Sequence, residues 1–138
     1  MKIFFSLLML QLIVSAGYAQ KFEPVNPKTD KREFHGYEIK LFPAFGNSYG
    51  YDIHKGDELI LHQSHNPFTA SPIGLSVKED VYKIAEWQIN QFEIEKKSKR
   101  NISRLPGKAQ SPSSVAENYF YKPVPAEVAK TLQIKISR

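Results

Sequence analysis

Cysteine is absent from the 138-residue chain. That excludes a disulfide framework, thiolate metal sites, iron–sulfur clusters and a cysteine nucleophile. Beyond the first 19 residues no apolar run approaches the roughly 20 residues needed to span a bilayer. Glycine and proline, with 7 and 9 residues, follow no period, which excludes collagen-like structure. Charge of one sign does not dominate: 19 Lys/Arg stand against 14 Asp/Glu, a net of +5. Hydrophobic residues make up 41% of the chain, enough for one small globular domain rather than wholesale disorder. Several catalytic signatures are missing too. There is no phosphate-cradling glycine loop and no His-Glu-x-x-His. The spelling Gly46-Asn47-Ser48-Tyr49-Gly50 imitates a nucleophile elbow, but a strand rather than a helix is expected after it. The carboxylates are scattered, so no glycosidase-type pair is supported.

What is present begins with an export signal. Lys2 provides a positive start, Ile3–Val14 an apolar stretch, and Ser15-Ala16-Gly17-Tyr18-Ala19 a small-residue ending before Gln20. These three parts in this order predict a cleaved signal peptide over residues 1–19. The protein is therefore expected to be exported and soluble, periplasmic or extracellular. A lipoprotein is excluded because no cysteine is available to carry the lipid. Export makes nucleic acid an unsuitable partner.

Residues 20–33 carry prolines and charges with little apolar pattern and are read as a flexible leader. Tyr37, Ile39 and Leu41 then alternate with Glu38 and Lys40, the period of a half-buried strand. Gly46-Asn47 marks a turn. A second alternation runs Tyr49, Tyr51, Ile53, and a third Leu59, Leu61, Gln63. A three-residue loop, His54-Lys55-Gly56, predicts a hairpin in which Ile53 faces Asp57, Tyr51 faces Leu59 and Tyr49 faces Leu61. A two-residue loop would scatter the apolar side chains over both faces. Asp52, Glu58, Ile60 and His62 then share the polar face, with Asp52 opposite Glu58. Ser76 and Glu79 have the spacing of a capping box. Val77, Val81, Ile84, Ala85, Ile89 and Phe92 form one stripe of a helix expected from Val77 to about Lys96. Pro125–Leu132 predicts a short helix with proline near its start.

The fold class expected is α+β: a three-stranded antiparallel sheet packed by one long amphipathic helix (β-β-β-α) over residues 34–96. Residues 97–138 would form an irregular, loosely attached basic and Pro-rich extension. Among candidate sites, His54, His62 and His65 are the metal-ligating set, with Asp52 and Glu58 beside them. An exposed polar sheet face accounts for these residues more simply. The basic run Lys96–Arg100 either meets anionic surfaces or merely ends a helix in water. Phe45 and Phe68 sit in loops, as lids on the core or as recognition contacts.

The runs Ser48-Tyr49-Gly50-Tyr51-Asp52-Ile53 and Leu59-Ile60-Leu61-His62-Gln63, with Pro67, Gly74-Leu75 and Lys83-Ile84-Ala85, resemble a family of small exported Bacteroidota proteins, domain of unknown function 4907. The resemblance covers about residues 37–92. In that family the loop after the hairpin has two glycines, whereas Asn66–Leu75 keeps one. The resemblance implies a compact α+β domain in the bacterial envelope and carries no activity with it. It draws attention to His62 and Gln63.

The function expected is therefore a non-catalytic binding or accessory module of the cell envelope, without a cofactor. Its partner would be an envelope protein or a glycan. Asp52, His62, Gln63 and Phe68 are the candidate contact residues. The alternative is a small metal-binding protein or metal-dependent enzyme using His54, His62 and His65.

Overall fold

The computed structural model describes residues 21–103 and 122–136, with side chains as far as Arg100 in the first segment. The expected signal peptide and the Pro/Gly/Ser-rich stretch after Leu105 lie outside the described residues. Four strands form one antiparallel sheet in the order β1 (Lys31–Phe34), β2 (Tyr37–Ala44), β3 (Ser48–Lys55), β4 (Glu58–Gln63). A 26-residue helix, α1 (Lys78–Ser103), lies against one face, and a short helix, α2 (Ala126–Thr131), follows near the end. The α+β class and the single long helix agree with the periodicity.

The sheet has one strand more than expected. Lys31-Arg32-Glu33-Phe34 pairs antiparallel with Tyr37–Lys40 through a two-residue turn, His35-Gly36, where both φ angles are positive. That is a type I′ reversal, whose twist suits a hairpin. Polar composition hid β1. Its inward residues are Phe34, packed on the core, and Arg32, whose guanidinium lies 3.9 Å over the Tyr82 ring and binds Glu79 (2.9 Å) and Glu86 (3.1 Å) on α1. The arginine stem does what an apolar side chain would otherwise do.

The β3–β4 register also differs from expectation. Lys55 pairs with Glu58 across a two-residue Gly56-Asp57 turn, with φ +59° at Gly56. His54 then opposes Leu59, but Ile53 opposes Leu61, leaving Ile60 as the extra residue of a bulge. The tight turn alone would put the wrong faces together, and the bulge restores parity. Tyr49, Tyr51, Ile53, Leu61 and Gln63 therefore face α1 as the alternation demanded, whereas Leu59, opposite His54, falls on the outer face and not with them as expected. Asp52 opposes His62, not Glu58, which pairs with Lys55 instead.

The core lies between that face and the helix. Ile39, Ile53 and Leu61 from the sheet, and Val81, Ile84, Ala85 and Ile89 from α1, are fully buried. Each such large aliphatic side chain contributes about 1.5–3 kcal/mol of transfer free energy. Val77 and Phe92, at the ends of the predicted stripe, are half-buried. The capping box is not formed among the described residues, because Glu79 is held by Arg32 (2.9 and 3.3 Å).

Segments outside the predicted core are tied to it. Phe22 stacks on Tyr49 at 5.2 Å, and the Tyr49 hydroxyl donates to the Glu23 carbonyl (2.6 Å). The C-terminal segment is not loosely attached: Val124, Ala129 and Ile134 are buried. The Val124 N–H donates to the Pro67 carbonyl (2.8 Å). Helix α2 ends with Ile134 N–H to Ala129 carbonyl (2.8 Å) and Gln133 N–H to Lys130 carbonyl (3.2 Å), a Schellman closure.

Candidate functional site

The face of the sheet turned away from α1 carries the residues with binding chemistry. Alternation sends Glu38, Lys40 and Phe42 of β2, Gly50, Asp52 and His54 of β3, and His62 of β4 to that side. The register sets Lys40, Asp52 and His62 in one row and Phe42 beside Gly50 in the next. Gly50 is what shapes the surface. A Cβ there would stand 2.4 Å from the Phe42 ring and 2.8 Å from the Gln63 carbonyl oxygen. Only a residue without a side chain lets Phe42 cross β3 and reach His62. The two rings stack at 4.9 Å between centroids with 3° between planes.

His62 is anchored a second time. Its Nδ1 lies 2.6 Å from Asp52 Oδ1. A carboxylate can only accept, so beside an ionised Asp52 the Nδ1 carries a proton and donates to it. The side chains of His62 and Asp52 are 37% and 26% exposed, so ring and carboxylate remain within reach of a ligand. Lys40 extends the row, its Nζ 2.9 Å from Glu38. That contact holds the Glu38 carboxyl below its ordinary range. What the patch supplies is recognition chemistry: a held aromatic surface flanked by a carboxylate, an imidazole and an ammonium.

The sequence-derived candidates divide. His62 and Asp52 are brought together, and more closely than the expected register implied. Gln63 belongs to the interior. Its Nε2 donates to the His65 carbonyl (3.0 Å), and its Oε1 accepts from Lys122 N–H (3.1 Å). Gln88 continues this buried chain, accepting from the Tyr51 hydroxyl and donating to the Lys122 carbonyl (3.5 Å). Burial pushes the Tyr51 phenol far above its ordinary range, more than its bond to Gln88 offsets. Phe68 packs half-buried against the core, a lid rather than an open contact. Phe45, by contrast, is 71% exposed beside Ile73. His65 lies beyond the end of β4 with Nδ1 2.9 Å from Ser64 Oγ. Among the described residues no three His, Asp or Glu side chains are grouped to hold a metal ion, so His54, His62 and His65 do not converge.

Phe42 and Gly50 are the site residues that the sequence reading passed over. The signal was available: a phenylalanine on the polar phase of β2, and a glycine inside the alternation of β3. Their juxtaposition needed the β2–β3 register. Separately, a hollow of about 350 Å³ lies between the His35 turn and α1, lined by His35, Asn90, Glu93, Ile94 and Lys97.

No protein-family model, curated protein or solved structure matches the chain. Among the described residues no helix is long and apolar enough to cross a membrane.

Proposed function

We propose that the chain is an exported, non-catalytic binding module of the cell envelope, and that it recognises a glycan through the outer sheet face. The observation carrying this reading is the Phe42–His62 stack laid over Gly50 and fastened to Asp52. A sugar ring offers an apolar C–H face and a rim of hydroxyls. A fixed aromatic surface meets the first, and a carboxylate–imidazole pair with Lys40 nearby meets the second. Rigidity matters because an immobilised contact loses little side-chain entropy on binding. The signal-like residues 1–19 and the resemblance to exported Bacteroidota proteins support the envelope setting.

The test is binding of the purified protein to an array of bacterial envelope polysaccharides and peptidoglycan fragments, compared with Phe42→Ala, His62→Ala and Phe68→Ala. The first two should lose at least tenfold in affinity, a change of about 1.4 kcal/mol, with folding retained. Phe68→Ala should bind as the parent does once folded. Full binding by both outer-face variants would remove this face from the function.

A further inference from the structure

We infer that the distal end of α1 is a docking surface for an anionic lipid headgroup layer, separate from the sheet-face site. Helix α1 is about 39 Å long at 1.5 Å per residue, and every residue from Ile94 to Arg100 is exposed. This stretch holds Lys96, Lys97, Lys99 and Arg100, which at 3.6 residues per turn fan over about 160° of the rod. The sequence continues the series with Arg104 and Lys108.

Two observations set this cluster apart from an ordinary solvated helix end. The helix dipole favours cations only within the last turn, where Arg100 stands. Lys96, Lys97 and Lys99 precede it. The neighbouring carboxylates also have closer partners than the lysines of this cluster. Glu93 accepts from the Tyr37 hydroxyl (2.7 Å) and pairs with Lys55 (3.5 Å), while Glu95 pairs with Lys122 (3.0 Å). Among the described residues no carboxylate lies within ion-pair distance of Lys96, Lys97 or Lys99; Lys96 helps hold Glu93 in its charged form from further away, and Lys97 and Lys99 are available to an outside partner.

The shape selects the partner. Four cations on a convex rod make no pocket that would choose one small phosphate. The run Lys96-Lys97-Ser98-Lys99-Arg100 contains no aromatic residue on which a nucleic-acid base could stack. A plane of lipid phosphates meets the three lysine charges together, with Arg100 adding to the same positive field. Each cation brought to such a surface multiplies partitioning by about fivefold.

Full-length protein, expressed in an exporting host with its N-terminus read by mass spectrometry, is sedimented with phosphatidylcholine vesicles with and without about one quarter phosphatidylglycerol. Salt is set at about 10 mM and about 1 M, where screening lengths are about 30 Å and 3 Å. The expected result is binding that requires phosphatidylglycerol, disappears at high salt, and falls at least tenfold when Lys96→Gln, Lys97→Gln, Lys99→Gln and Arg100→Gln are combined. A second variant, Lys21→Gln, Lys28→Gln, Lys130→Gln and Lys135→Gln, removes the same charge from other exposed positions and should bind within about twofold of the parent. Equal loss in both variants would reduce the effect to net charge and overturn the proposal. So would undiminished binding by the α1 variant, binding indifferent to phosphatidylglycerol, or retention on immobilised DNA without vesicle binding. Binding to glycans by the sheet face is untouched by any of these outcomes.

Discussion

Gly50 makes one residue's lack of a side chain decide a surface. Its missing Cβ is the space through which Phe42 reaches His62, with 2.4 Å left to the ring and 2.8 Å to the Gln63 carbonyl oxygen. Gly50→Ala should cost about 1–3 kcal/mol, read as a shift in the urea midpoint, because a tightly packed contact must be forced apart. The same change in a Phe42→Ala background should cost less, since the ring clash is gone and only the carbonyl contact remains. A strictly additive cycle would mean that ring and glycine are not coupled. Gln63 and Gln88 show the opposite economy: buried amides kept because every partner is present. Gln63→Leu removes the buried bonds to the Lys122 N–H and the His65 carbonyl and should destabilise by about 1–3 kcal/mol. Thermal unfolding of the variant measures it.

Among the elements, the strands are joined by tight turns, while α1 and the C-terminal segment are held by side chains reaching across the molecule. β1 has few apolar residues of its own, and Arg32, clasped by Glu79, Glu86 and the Tyr82 ring, fastens it to α1. The C-terminal segment buries Val124, Ala129 and Ile134 and sends its backbone into the amides of Gln63 and Gln88. Removing residues 122–138 should therefore lower stability by more than about 3 kcal/mol, from the lost burial of Val124 and Ile134 alone. A clear fall in denaturant midpoint is the expected result. An unchanged midpoint would show that the segment only rests on the domain.

Across the whole molecule, long-range ion pairs set the acid limb of stability. Glu79 is held below its ordinary value of 4.5 chiefly by its bond to Arg32, and Glu93 chiefly by its bond from Tyr37. Asp30 is lowered as well: burial works against its charge, but the Asn26 N–H and Lys78 outweigh it. A carboxylate whose pKa is depressed by folding binds fewer protons in the native state than in the unfolded chain. Stability from these groups is thus complete above about pH 4.5 and drains away as pH falls through the folded values. Glu79→Gln should flatten that limb, most visibly at low salt because Glu79 is exposed. On the alkaline side, burial keeps Tyr51 protonated. Stability should decline once pH passes the ordinary tyrosine value of 10.0, where the unfolded chain releases that proton. Equilibrium unfolding followed from pH 3 to 11 tests both limbs.

The local sequence alone determined the faces of β2 and β3, the buried stripe of α1, the short helix after Pro125 and the turn at Gly46-Asn47. Periodicity and backbone permissiveness act over a few residues and leave their mark there. In β4 the tight turn puts Leu59 on the outer face beside His54, against the alternation, and the Ile60 bulge restores the expected inner face only from Leu61 onward. What only the tertiary structure decided was β1, where one of the two inward side chains is an arginine matched to acids 47 and 54 residues away. It also decided the anchoring of the C-terminal segment on two buried glutamines, and the meeting of Phe42, Gly50, Asp52 and His62. Each depends on a partner distant in the chain. A side chain's own neighbours carry no record of what will be folded against it.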